Sequence, residues 1–350
     1  MKRFLLPENG RFYKANLHSH STVSDGTLTP AEMKALYKAR GYSVLACTDH
    51  ELMVPHHDLT DPDFLMLTGF ELGFDEGWRS DFLSAKVCDL CLLALDPEND
   101  IQPCYHRTKY IDPKKRAWVK FDENEPDFER EYNADCINEA IRICREKGFF
   151  VTWNHPHWSL ERWEQYTRYT GMHAMEICNT SSYVDGYDEY NGPIYDEQLR
   201  KGKRIFVIGT DDNHNRRDPN SRMWDSFGAF TVIRAPALTY KDIANALLSG
   251  HFYASQGPEI RSLWLDENDV LHVSCSPADK LVCTVNRRRC MSRYGENGQP
   301  ATEATFELLP ADEWFRITVI DEHGLKADTN AYWVDETLFA VTEKESIRGI

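Results

Sequence analysis

The sequence predicts an α/β protein, a sheet of βα units followed by a small all-β domain, and three observations lead there. From Phe12 to about Ser255 short apolar runs alternate with helix-length amphipathic segments, the rhythm of βα units and a mostly parallel sheet. After Gln256-Gly257-Pro258 the rhythm changes to short alternating runs with no helix between them. Histidines, aspartates and glutamates gather just past the apolar runs of the first part.

Taken in order, the strand candidates of the first part are residues 13–17, 43–48, 64–70, 86–94, 149–154, 174–178 and 204–209, seven in all. A helix is expected over 29–40, opening on Thr29 as cap with Pro30 in the first turn and closing before Gly41. A second is expected over 133–147, capped by Asn133 or Asp135, with Ile137, Ile141 and Cys144 on one face and Gly148 as its stop. The segment 102–130 is long, polar and irregular, with Lys109, Lys114, Lys115 and Arg116 close together. Loops of that length inside a domain are usually lids, binding loops or disordered, and a substrate-side loop is the expectation here. The runs 260–265, 270–275, 280–285, 305–309, 314–320 and 331–333 read as a small β-sandwich. The expected division is therefore 1–258 and 259–350.

A chain of 350 residues with 41% hydrophobic and 12% aromatic residues is long and apolar enough to bury a sizeable core. Its formal net charge of −16 argues against nucleic acid or an anionic membrane as main partner, since both require a positive surface. The apolar run Phe4-Leu5-Leu6 is too short for a signal-peptide core. No stretch approaches the ~20 apolar residues of a membrane span. A cytoplasmic location is expected. The ten cysteines are scattered through apolar patterns and read as reduced, buried small hydrophobes. Cys88-Asp89-Leu90-Cys91 is formally a Cys-x-x-Cys but lies inside a strand-like run without a partner pair.

The chemistry lies at the strand ends. His18 and His20 close the first run, and on a strand residues i and i+2 point the same way, so both imidazoles can reach one ion. Asp25 follows in the turn. Thr48-Asp49-His50 ends the second run, Glu71 the third, Asn154-His155-Pro156-His157 the fifth and Gly209-Thr210-Asp211-Asp212-Asn213-His214 the seventh, while Glu176 and Asn179 flank the end of the sixth. In a parallel βα barrel all carboxyl ends of strands lie on one face, where active sites are built. A lone histidine after a strand is more often structural than functional; six such strand ends together read as a metal site. Imidazole with carboxylate suits zinc, manganese or iron, and more than four ligands means more than one ion.

The series His18-x-His20 with Ser24-Asp25-Gly26, Thr48-Asp49-His50, Glu71, His155-Pro156, then Asp211 and His214, resembles the PHP family, the polymerase and histidinol phosphatase superfamily of metal-dependent phosphoesterases, over roughly residues 12 to 257. The resemblance implies a distorted seven-stranded (βα)7 barrel. The tail ending Ala331-Tyr332-Trp333 resembles the small β-domain of the CehA/McbA-like branch. Carried over residue by residue, the resemblance implies one ion on His18, His20, Glu71 and Asp211, another on Asp25, His50 and His214, and a contribution of Glu71 and His155 to a third. The family often places a further histidine at the start of the fourth strand; here Asp89 or Cys91 occupies that region, with His106 a distant substitute, so two or three divalent ions are expected.

The expected reaction is hydrolysis of a small, phosphorylated substrate by a metal-bridging hydroxide. Asp25 or Asp211 would orient or deprotonate the water, and His50 or His214 would protonate the leaving oxygen. Asn154, His157, Asn179, Asn213, Arg216 and Arg217 are candidate substrate contacts, the arginines because guanidinium suits bidentate phosphate recognition. Carbamate, ester or amide hydrolysis on the same metals is the alternative, and a non-catalytic metal-containing binding module the other. No Gly-x-Ser-x-Gly elbow is present.

Overall fold

The computed structural model describes residues 2–77, 86–289 and 291–339. In chain order its elements are β1 (Arg3–Phe4), β2 (Arg11–Asn16), α1 (Pro30–Lys38), β3 (Val44–Cys47), β4 (Leu65–Asp75), β5 (Val87–Ala94), α2 (Ala134–Glu146), β6 (Phe149–Trp153), α3 (Trp163–Tyr166), β7 (Ala174–Asn179), α4 (Thr180–Val184), α5 (Gly192–Arg200), β8 (Phe206–Thr210), β9 (Phe230–Ala235), α6 (Tyr240–Leu248) and β10 (Phe252–Ser255). The remainder is almost all strand: β11 (Ile260–Leu265), β12 (Val270–Ala278), β13 (Lys280–Val285), β14 (Met291–Tyr294), β15 (Ala301–Glu307), β16 (Trp314–Ile320), β17 (Lys326–Thr329) and β18 (Tyr332–Trp333), then the single turn α7 (Val334–Thr337).

The two expected helices form for the expected reasons. Thr29 and Glu32 close a capping box on α1, the Glu32 carboxylate accepting from Thr29 N at 2.8 Å, and Met33 and Tyr37 are its buried face. Asn133 caps α2 by accepting from Cys136 N at 2.9 Å. Ile137, Ala140, Ile141 and Cys144 of α2 are buried; Ile137 and Ile141 each contribute about 1.5–3 kcal/mol by leaving water.

The main sheet runs β14-β13-β16-β17-β10-β9-β2-β3-β4-β5-β6-β7-β8, and a second runs β1-β11-β12-β15. The pairs β2–β3, β3–β4, β6–β7 and β7–β8 are parallel. The expectation of a mostly parallel sheet needs correction at β5, which is antiparallel to both neighbours, and at β9, which is antiparallel to β2. The reason at β5 is chain length: residues 76–86 are all that join it to β4, less than the dozen or more that a crossover takes. Past the ends of β2 and β8 the chain comes back beside itself, for Ser19 and Asn213 form a parallel bridge and Asp212 N donates to His18 O at 2.9 Å. This return closes the strand ends around one space.

The second sheet packs on the β13–β16–β17 end of the main one through Leu263, Leu271, Leu281, Phe306, Phe315 and Ile317, all fully buried. The main sheet itself crosses position 258, since β10 pairs with β17, and β1 from the N-terminal end pairs with β11. Among the described residues no helix is long and apolar enough to cross a membrane.

Candidate metal centre

Glu71 is the centre of the site. It lies within β4, buried, with Oε1 3.2 Å from His18 Nε2 and 3.4 Å from His155 Nε2, and Oε2 2.8 Å from His50 Nδ1 and 3.4 Å from His20 Nε2. Despite those neighbours Oε2 has no partner in hydrogen-bond geometry. Burial alone would raise the Glu71 pKa, but His18 and His50 hold it well below the usual carboxylate range.

His18 shows why this cluster suits a cation. Its Nδ1 is 2.7 Å from Glu176 Oε1, an acceptor, so the proton of the neutral ring is on Nδ1 and Nε2 is a lone pair. That lone pair faces Asp212 Oδ1 at 3.1 Å, Glu71 Oε1 at 3.2 Å and His20 Nε2 at 3.2 Å. Four electron-rich atoms thus meet at one point, a crowding that either a proton or, with the ring neutral, a divalent ion resolves. Burial works to lower the His18 pKa, but Asp212, Cys91, Glu71 and Glu176 drive it well above the ordinary histidine range; the same field attracts a cation. His20 is pushed the other way, down to about 3, by burial and then by His50.

The candidate ligands fall into overlapping groups: His20, Asp25, His50 and His214; His18, His20 and Asp212; Glu71, Asp89 and His155; and His18, Glu71 and Cys91. Two backbones are held in left-handed conformation, His155 with φ 25° and Asp212 with φ 52°, at a cost of order 1–3 kcal/mol each. His155 Nδ1 lies 3.0 Å from Ser159 Oγ and its N–H donates to Glu176 Oε2 at 2.8 Å, turning Nε2 inward.

The structure thus brings together His18, His20, Asp25, His50, Glu71, His155 and His214, and does not bring Asp211. The Asp211 carboxylate is fully buried on the opposite side of its strand, accepting from Tyr37 Oη at 2.8 Å, Thr180 Oγ1 at 2.7 Å and the N–H groups of Phe227, Gly228 and Ala229. Asp211 is the expected ligand and water-orienting base; it is Asp212 that the structure brings to His18 and His20. Strand alternation carried past the end of β8 gives Asp212 the same side as Thr210, but which side faces the site shows only in the structure, where Thr210 Oγ1 donates to Glu176 Oε1 at 2.6 Å.

On the fourth strand of the expected order, β5, it is Asp89 that stands with Glu71 and His155, its Oδ2 3.9 Å from His155 Nε2. Because β5 is antiparallel, its N-terminal half reaches the site. Cys91 is fully buried beside His18, and burial pushes its thiol up to about 12. His106 is elsewhere, bonded to Glu129.

The expected substrate contacts divide. Asn154 donates to Glu71 Oε1 at 2.9 Å and Asn179 to Glu176 Oε2 at 2.9 Å; both are buried and hold carboxylates in place. Asn213 is buried against Asn16 and Asn215. His157 turns away to Asp188 O at 3.0 Å. Arg216 and Arg217 do line the pocket, Arg216 paired with the Asp25 carboxylate. The pocket over the cluster has a volume of about 920 Å³. Segment 102–130 forms part of its wall through Tyr110, Ile111, Asp112 and Lys115, so this loop is on the pocket side as expected. Sequence reasoning did not find the anchor of that segment, Arg130, whose buried guanidinium grips both oxygens of Glu51 and Gly73 O.

No protein-family model matches the chain, and no curated protein matches it significantly. Among solved structures it is similar to one from Bacteroides vulgatus described as a two-domain protein containing a predicted PHP-like metal-dependent phosphoesterase, at 16% identity and TM-score 0.46, over 94% of this chain and 98% of that one. It is similar also to a Bifidobacterium adolescentis protein provisionally described as a metal-dependent phosphoesterase, at 14% identity and TM-score 0.38, over 62% and 91%. A third is an amidohydrolase from Chromobacterium violaceum with bound sulfate, at 16% identity and TM-score 0.36, over 57% and 87%. At these levels of similarity function has to be read from the site itself.

Proposed function

We propose that this chain is a metal-dependent hydrolase acting on a small phosphoester. The observation that carries the reading is the convergence of five histidines with Asp25, Glu71, Asp89 and Asp212, of which all but the fully buried His18 and His20 line one pocket. Two or three divalent ions, zinc, manganese or iron by donor type, fit that set. One would be held by His20, Asp25, His50 and His214, one by His18, Glu71 and Asp212 with His20, and a third by Glu71, Asp89 and His155. Bound there, such ions supply an activated water near neutral pH and offset charge on the reacting oxygens.

The chain's own groups do the rest. His214 Nδ1 is 3.0 Å from Asp212 O, so its Nε2 is the lone pair turned to the site and the ring is a ligand. His50 and Asp25, with side chains 44% and 41% exposed, meet the substrate side. Asp25 orients the attacking water; His50, a ligand through one ring nitrogen and 2.8 Å from Glu71 Oε2 through the other, has no proton to give, so the leaving oxygen takes its proton from water. Arg216, on the other oxygen of Asp25, aims that carboxylate, and His50, His20 and His214 do more than Arg216 to keep it ionised against burial. The apolar wall of Leu52, Ile111, Trp158, Val184 and Met223 suits an organic group, and it is the observation that favours the second reading, a carbamate, ester or amide hydrolase on the same ions. The setting we propose is cytoplasmic, without nucleic acid or membrane as partner. The returning sheet is read as a distorted seven-stranded barrel over 1–258, with a β-sandwich of the CehA/McbA-like kind over 259–350.

The test is elemental analysis of protein purified without chelators, beside His18→Ala, followed by hydrolysis assays on metal-loaded protein. Two or three ions that depend on His18, with turnover of aryl phosphomonoesters or phosphodiesters, is the expected result. Turnover of aryl carbamates alone would favour the second reading, and no His18-dependent metal would remove the hydrolase assignment.

A further inference from the structure

The pocket carries positive charge on one wall that the cluster does not use. Of the four cations grouped in segment 102–130, Lys109 is paired with Glu129, Arg116 donates to Thr108 O, and Lys114 lies outside the pocket lining. Lys115 alone turns into the pocket. Its Nζ donates to Val23 O at 2.7 Å and to Ser24 O at 3.0 Å. Those two carbonyls use two of the three ammonium hydrogens and none of its charge. Among the described residues no carboxylate lies within ion-pair distance of it, whereas Arg216 is committed to Asp25 and Arg217 lies in the field of Asp185.

The position of this ammonium is informative. It is fixed on the carbonyl of Ser24, one residue, or about 3.8 Å of chain, from Asp25, whose Oδ1 is 3.5 Å from His214 Nε2 and 3.8 Å from His20 Nδ1. Lys115 is thus beside the cluster without being part of it. A half-buried ammonium held by two carbonyls, with the Trp118 ring 5.8 Å away and no carboxylate on it, calls for an anion, and the 920 Å³ pocket has room for more than one phosphate group.

We propose that Lys115 forms a second anion subsite, and that the substrate carries, besides the group placed at the cluster, a second anionic group, phosphate or carboxylate, at a short spacing. This rests on the phosphoester reading above. Lys115 binds and orients that distal group, and no bond is made or broken there.

The test is calorimetric titration of metal-loaded protein with three non-hydrolysable probes: methylphosphonate, 3-phosphonopropionate and ethane-1,2-bisphosphonate. Metal retention is checked by elemental analysis after each titration. In wild type at least one two-group probe should bind about tenfold or more tighter than methylphosphonate, the order expected of one charge-assisted hydrogen bond. The better of the two tells carboxylate from phosphate. Lys115→Ala should lower that affinity ratio about tenfold, and Lys115→Arg should restore most of it, at equal metal content. Methylphosphonate binding with no gain from either second group, or a ratio that Lys115→Ala leaves intact, overturns the subsite alone. Failure of all three probes to bind the metal-loaded wild type overturns the phosphoester reading, and the subsite with it.

Discussion

His18 and Glu176 are joined by a 2.7 Å contact between Nδ1 and Oε1, entirely out of solvent. Glu176 also accepts from Thr210 Oγ1, His155 N and Asn179 Nδ2, so with His18 donors from four strand ends meet on one carboxylate. It fixes the ring of His18 and the backbone of His155 together. Partners of this kind behind a metal-ligating histidine typically account for 10–100-fold in metal affinity. Glu176→Gln sets an amide N–H against these donors and should weaken metal binding by about that factor, read by competition against a chelator. An affinity within threefold of wild type would show that His18 is oriented by its strand alone.

Neighbouring aspartates should behave oppositely. Asp211 accepts five hydrogen bonds away from the cluster, and Asp212 faces His18 and His20. Asp211→Asn leaves buried donors without an acceptor and should cost about 2–4 kcal/mol of stability, while metal content per folded chain stays near wild type. Asp212→Asn should lose metal and turnover with a smaller change in unfolding midpoint. Denaturant unfolding beside elemental analysis separates the two, and the reverse pattern would restore Asp211 to the site.

That pair also marks what the sequence could tell. Apolar rhythm located β2 to β8 to within a few residues, because buried runs of Val, Leu, Ile and Phe are bounded by caps and glycines that local chemistry dictates. Candidate ligands next to strand ends, such as His18, His20, His50 and His155, were legible for the same reason. The direction of β5 was not, because it depends on how residues 76–86 return the chain, and so Asp89 could not be told from Cys91. Nor were Glu176 as the orienting group and Lys115 as a pocket residue, since both depend on contacts between segments far apart in the chain.

Glu161 offers a pH test away from the cluster. Its carboxylate accepts from Trp153 Nε1 at 2.6 Å and from Tyr169 Oη, yet burial outweighs these bonds and pushes its pKa up to about 7. A carboxyl whose folded pKa exceeds its unfolded value binds its proton more tightly when folded. Stability from this group is therefore intact below about pH 4.5 and is lost as pH rises towards 7, by roughly 3 kcal/mol at most. Glu161→Gln keeps an acceptor for Trp153 and cannot ionise. Relative to wild type it should gain stability steadily between these limits, followed by urea unfolding at several pH values. A difference that does not vary with pH would mean that Glu161 is already ionised at pH 5.

The turn that carries Asp25 depends on Gly26. A Cβ at that position would lie 2.2 Å from His20 O, 2.6 Å from His20 C and 2.9 Å from Ser21 N, all backbone atoms. No side-chain rotation can relieve this, so the segment from His20 to Gly26 must shift. It is pinned on both sides, by Gly26 N donating to Ser21 O at 2.9 Å and by Asp49, which accepts from the N–H groups of Ser21 and Ser24. Movement therefore displaces His20 and Asp25 relative to each other, two groups that the proposed function assigns to one ion. Gly26→Ala should lower stability by about 1–3 kcal/mol, as overpacking does. It should also lower the metal content of the folded protein by one ion, since His18, Glu71, Asp89 and His155 lie outside the turn. Calorimetric unfolding and elemental analysis read the two effects separately, and full metal occupancy with wild-type stability would show that the turn yields without moving Asp25.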